Sequence, residues 1–179
     1  MAIERKKLEE IFDKLGRSLT QPATLCIFGS APAILLGQPS RQTQDIDIWH
    51  PQSNYDAGDL SRACASAGIL YDPTDELDPD AVYLQIVRPG VVALPPNFET
   101  EMIGRYGMLT VLMPTPVVLS TAKLVRASDN DVSDIVWWVR QRSITFKQIE
   151  SMIDQLANPM QQETARDNLV FVRLVTKDA

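Results

Sequence analysis

The sequence is poor in the residues on which much metal and redox chemistry depends. It holds one histidine, His50, and two cysteines, Cys26 and Cys64, in 179 residues. That excludes a Cys/His zinc site, whose ligands come in sets of four at short spacings. It also excludes a disulfide framework. Cys26 in a predicted core strand and Cys64 in a predicted helix read as reduced, buried thiols. His50 sits in a loop, where a lone histidine is read as incidental. No apolar run approaches the ~18 residues of a membrane span, and residues 1–16 carry charges throughout, unlike a secretory signal. Positive charge is in short supply: 17 Lys and Arg stand against 23 Asp and Glu, for a net charge of -6. The sequence pI is about 4.8. Such a balance excludes broad, nonspecific nucleic-acid binding, which needs a basic surface. Arg126, Arg140, Arg142 and Lys147 lie close enough in sequence for a local patch but read as a solvated face. A soluble cytoplasmic protein with no membrane contact is expected.

What is present is enough apolar residue, 45%, to build a core without disulfides or metals. The pattern predicts an α/β core over residues 1–115 and a helical portion over residues 116–179, packed as one unit. Residues 3–15 predict a helix whose Leu8, Ile11, Phe12 and Leu15 share one stripe, with Gly16 as its stop. Residues 56–67 predict a helix ended by Gly68, returning the chain to the same sheet. Residues 72–80 hold Asp72, Asp75, Glu76, Asp78 and Asp80, together with Pro73 and Pro79. They lack the EF-hand spacing and read as a solvated acidic loop. Residues 81–87 and 91–94 predict a hairpin around Arg88-Pro89-Gly90. Residues 108–113 predict a further strand. Helices are predicted over residues 117–127, 131–140, 145–156 and 161–175, the third opened by a capping box of Thr145 and Gln148. Trp137 and Trp138 are adjacent on one helix and cannot both face one core, which leaves one to mark a partner surface.

The most informative stretch is residues 26–49, Cys-Ile-Phe-Gly-Ser through Asp-Ile-Asp-Ile-Trp. It reads as strand, tight turn at Gly29-Ser30, short helix over residues 31–36, Gly37, polar loop, strand. Strand side chains alternate, so Asp45 and Asp47 share one face while Ile46 and Ile48 take the other. Two adjacent acids repel unless a cation compensates them, and hard oxygen ligands suit Mg2+ or Mn2+. Ser30 fits a helix N-cap and Pro32 the first turn. A helix start beside a glycine is a phosphate seat. Arg41 and Thr43 fit either of two roles, orienting a triphosphate by charge-assisted hydrogen bonds or tying down the loop.

Gly29, Ser30, Ala33, Leu36, Gly37, Arg41, Thr43, Asp45 and Asp47 together resemble the nucleotidyltransferase superfamily. More narrowly, they resemble its small bacterial nucleotidyltransferase-like proteins, some of whose relatives are toxins of abortive-infection and toxin–antitoxin systems. A second, weaker likeness covers Lys123-Leu124-Val125-Arg126 followed by Asp131 and Asp134. The resemblance implies an α/β mixed sheet flanked by helices with a C-terminal helical portion. It implies metal-dependent transfer of a nucleotidyl group from a nucleoside triphosphate to an RNA end, a protein hydroxyl or a small molecule. Asp45 and Asp47 would then bind the metal and carry catalysis. Gly29, Ser30, Arg41, Thr43 and Lys123 would hold the nucleotide, with Asp131 or Asp134 in support.

One departure stands out. Such transferases commonly place a third carboxylate on a later strand, as metal ligand and base. Here Tyr83-Leu84-Gln85-Ile86-Val87 offers Gln85, which accepts no proton; Glu99 and Glu101 follow it in the chain. The departure motivates a second expectation, a binding or regulatory module of this fold with a protein partner in a toxin–antitoxin or phage-defence pair.

Overall fold

Alternating apolar and polar residues at the front of the chain build a sheet whose two faces differ in kind. The computed structural model describes residues 3–75, 77–78 and 80–178. Glu76 and Pro79 of the predicted acidic loop lie outside them. In chain order the elements begin α1 (Arg5–Ser18), β1 (Ala23–Phe28), α2 (Ala31–Leu35) and β2 (Asp45–Trp49). A single 3-10 turn at His50–Gln52 leads to α3 (Ala57–Ala67), β3 (Leu70–Tyr71) and β4 (Tyr83–Val87). Next come β5 (Thr100–Tyr106), β6 (Leu109–Pro114) and α4 (Pro116–Leu124), then α5 (Asp129–Arg142), α6 (Phe146–Ile153) and α7 (Pro159–Asp178). Among the described residues no helix is long and apolar enough to cross a membrane.

The chain divides into two units, one of residues 1–89 and 100–113, the other of residues 90–99 and 114–179. The first holds a mixed sheet in the order β3-β4-β2-β1-β6-β5. β1 runs antiparallel to β2 and parallel to β6, while β2 and β3 both run parallel to β4. This is the expected α/β fold: parallel neighbours β2 and β4 need a crossover, which α3 begins. One face is apolar. Leu25, Ile27, Ile46, Ile48, Leu84 and Ile86 bury there together with Leu8, Phe12 and Leu15 of α1 and Leu60 and Cys64 of α3. Burying an isoleucine such as Ile46 or Ile48 contributes about 1.5–3 kcal/mol. Asp59 of α3 is itself buried. It accepts from the backbone N–H groups of Thr20 and Gln21 and pairs with Arg62, tying α3 to the chain ahead of β1.

Two local readings are corrected, and one strand is added. Gly16 does not stop α1, which runs on to Ser18. A Cβ at Gly16 would lie 1.7 Å from the Tyr106 carbonyl oxygen, so glycine is there to admit β5. Residues 91–94 form no strand. Pro89, Gly90 at a φ of 94°, and Pro95-Pro96 break extended pairing, and the partner hairpin is absent. The strand that does form, β5, was legible to no simple pattern, because Gly104 interrupts it and Met102 and Arg105 are exposed.

The second unit is helical. Val118, Leu119, Ile135, Trp138, Ile149, Ile153, Leu169 and Val172 are buried in it. Its helices start where side chains satisfy free N–H groups. Ser128 and Asp131 form a capping box on α5, and the predicted Thr145–Gln148 box opens α6. Trp138 is fully buried with Trp137 edge-on at 4.6 Å, half-buried. Trp138 is thus core, not a partner surface.

Candidate functional site

The site begins with the β1–β2 ladder. Phe28 pairs with Asp47, so the Gly29-Ser30 turn leaves β1 directly beside the second carboxylate. Gly29 has a φ of 72°, and a Cβ there would meet Asp47 Oδ2 at 2.5 Å. Only a residue without a side chain lets the turn come this close. Beneath the turn, Phe28 and Trp49 pack edge to face with ring centres 6.2 Å apart.

Asp45 and Asp47 are partly exposed, while Ile46 and Ile48 between and beyond them are buried. The predicted shared face is therefore present. Thr43 donates its hydroxyl hydrogen to Asp45 Oδ1 at 2.5 Å. Thr43 is held in turn by an antiparallel bridge to Ile3, with backbone bonds of 2.6 and 3.3 Å. Arg41 donates from Nη2 to the Ser30 hydroxyl at 2.5 Å. Ser30 takes the N-cap position of α2 read from the sequence, but its side chain makes no cap bond. The loop cation and the turn are linked through it instead.

β4 lies on the other side of β2. Its register sets Tyr83 opposite Asp45 and Gln85 opposite Asp47. Gln85 is exposed, between buried Leu84 and Ile86. The position beside the carboxylate pair thus carries an amide. Tyr83 escaped notice in the sequence, where a strand-initial tyrosine carries no chemical signal. Burial raises its phenol above the ordinary value, and the negative charges of Asp45 and Asp47 raise it further. Glu101 lies on β5, three strands from β2 in the sheet order, or roughly 14 Å at the usual spacing. Glu99 belongs to the second unit. Among the described residues no group of three or more His, Cys, Asp or Glu is placed to hold a metal ion.

Lys123 belongs to the second unit and is 8% exposed. Its ammonium pairs with Asp134 at 2.8 Å and Asp131 at 3.3 Å, both fully buried. Arg126 adds two bonds to Asp131, at 2.7 and 2.8 Å. Burial opposes ionisation of Asp131. Hydrogen bonds from Arg126 and Ser128 and the charges of Lys123 and Arg126 outweigh it, and hold the carboxyl well below the usual range. Desolvating such charges is costly, and the cluster stays stable because every partner is present.

A six-stranded mixed sheet flanked by helices, with the Gly29 turn against Asp47 of the neighbouring strand, fits a nucleotidyltransferase-like fold. The chain belongs to the family described as nucleotidyltransferase of unknown function (DUF6036), whose model matches residues 6–178. No curated protein and no solved structure gives a significant match.

Proposed function

We propose that this protein transfers a nucleotidyl group from a nucleoside triphosphate to a hydroxyl acceptor, with Asp45 and Asp47 as the metal-holding pair. The observation that supports this most is the placement of Asp47 against Gly29 across the β1–β2 ladder. The donor set suits Mg2+ or Mn2+: hard carboxylate oxygens, one of them already oriented by Thr43. Two carboxylates alone would hold such an ion weakly, which fits binding together with a triphosphate. When bound, such an ion neutralises the triphosphate and polarises the α-phosphoryl oxygen.

The chain's own residues do the rest. Backbone N–H groups of the Gly29-Ser30 turn and the Arg41 guanidinium hold the β- and γ-phosphates, and Thr43 fixes Asp45. The acceptor oxygen bonds to the α-phosphorus as the bond to the β-phosphate bridge breaks, and pyrophosphate leaves. The acceptor's proton passes to solvent or to a carboxylate oxygen of Asp45 or Asp47, since Gln85 accepts none. Lys123 is committed to Asp131 and Asp134, so phosphate holding falls to Gly29, Ser30 and Arg41.

Gln85 beside Asp47 favours a second reading. The protein binds the triphosphate without turnover and acts as a regulatory module with a protein partner, in the manner of a toxin–antitoxin or phage-defence pair. Calorimetry decides the shared part. Nucleotide binding requires Mg2+, and Asp45→Asn with Asp47→Asn abolishes that requirement without lowering the melting temperature. Unchanged binding by the double variant overturns both readings. Incubation with α-labelled triphosphates and RNA, peptide or glycerol acceptors then separates them: labelled product supports transfer, and tight binding without product supports the module.

A further inference from the structure

The sheet order places three strands side by side at the site, β1 with the Gly29-Ser30 turn, β2 with the carboxylates, and β4 with Tyr83 and Gln85. β1 and β4 are two strand spacings apart, about 9.6 Å. Tyr83 is in register with Asp45, and directly paired residues on neighbouring strands project from the same face. The burial pattern agrees: Tyr83 is half-buried and Gln85 exposed, while Leu84 between them is buried against the core. The charges of both Asp45 and Asp47 reach the Tyr83 phenol. A tyrosine ring also stands farther from its backbone than an aspartate carboxylate does. Its ring therefore flanks whatever lies over Asp45. A triphosphate seated at Gly29-Ser30 and crossing β2 brings its nucleoside end over β4. The groups waiting there are neutral. An aromatic ring and a primary amide neither repel nor capture a phosphate, and both suit a base and a ribose.

We propose that Tyr83 is the nucleoside platform of the site, its ring stacking on the base of the bound triphosphate, with Gln85 beside it as a hydrogen-bonding neighbour. The inference rests on the nucleotide reading of Asp45, Asp47 and Gly29-Ser30. Base–aromatic stacking is sequence-tolerant, because every base offers a π-face. The platform therefore sets affinity for a nucleoside without choosing among bases.

Two probes separate the platform from the phosphate seat. Calorimetry of the full chain with Mg2+ uses the four common nucleoside triphosphates and, in parallel, inorganic tripolyphosphate, which has no nucleoside end. Wild type is expected to bind the nucleotides more tightly than tripolyphosphate. Tyr83→Ala weakens nucleotide binding about tenfold and leaves tripolyphosphate within about twofold, whereas Tyr83→Phe keeps the ring and stays near wild type for both. Tyr83→Ala binding nucleotides as wild type does overturns the platform. So does an equal loss for both probes, which marks a general disturbance of the site, or a wild type that binds nucleotides no better than tripolyphosphate. A wild type that binds neither probe with Mg2+ overturns the underlying nucleotide seat, a result distinct from the others.

Discussion

Asp47 Oδ2 lies 2.5 Å from the point a side chain on Gly29 would occupy. A side chain on Gly29 would therefore displace the carboxylate, and the turn can approach β2 this closely only without one. Gly29→Ala places a methyl group against that oxygen in a backbone conformation, φ 72°, that L-residues rarely adopt. A cost of about 1–3 kcal/mol in stability is expected from the strain, together with loss of Mg2+-dependent nucleotide binding as Asp47 is displaced. Thermal melting and calorimetry on the same sample check both. Retained binding in a destabilised variant would show that the close approach serves the fold alone.

Gly16 makes a purely structural counterpart. It lies inside α1, and its added Cβ would sit 1.7 Å from the Tyr106 carbonyl oxygen. Met108 donates its N–H to the Gly16 carbonyl at 3.1 Å, which seats the Gly107-Met108 turn on the helix. Helix propensity favours Gly16→Ala by about 1 kcal/mol, but the contact leaves no room for the methyl. The variant is expected to be destabilised by ~3 kcal/mol or more, as overpacking against backbone predicts. Denaturant unfolding reads the sign directly.

The Asp131 cluster predicts an acid-sensitive second unit. Its carboxyl is held below the ordinary range in the folded state. The contribution is therefore fully present above the unfolded carboxylate value of about 3.9, and it is lost as the pH falls below that value. Asp131→Asn is expected to cost roughly 3 kcal/mol at pH 7, because Lys123 and Arg126 lose a buried partner. The gap between wild type and variant narrows from pH 5 to pH 3. Unfolding midpoints across that range test the sign, and a gap that widens on acidification refutes the assignment.

Cys26 and Cys64 are both buried, and burial pushes each thiol up to about 12. At pH 8 only about one molecule in ten thousand carries either thiolate, which is the reactive form. A colourimetric thiol reagent is expected to titrate close to zero thiols in the native protein and two after unfolding. Fast native labelling of either cysteine would contradict the packing of β1 or α3.

Alternation in Asp45-Ile46-Asp47-Ile48 and the turn signal at Gly29-Ser30 sufficed to place a carboxylate pair and a tight glycine turn on adjacent elements. These are local properties. The period of a strand and the backbone freedom of glycine act within a few residues, so they are written in the chain itself. Helix capping at Thr145 and Gln148 was legible for the same reason. Register was not. Which residue of β4 stands beside Asp47, that Tyr83 flanks Asp45, and that the Ser30 hydroxyl serves Arg41 rather than its own helix all depend on how distant segments pair. So does the place of Gly16, which reads as a helix stop until the Tyr106 carbonyl arrives against it. Lys123 reads in sequence as a nucleotide contact with Asp131 or Asp134 in support, and only the packing of α4 on α5 buries it between both carboxylates. The sequence by itself determined the acid chemistry of strand β2, two carboxylates on one face. The tertiary structure decided which side chains surround that chemistry, because strand pairing and burial join residues that no local interaction connects.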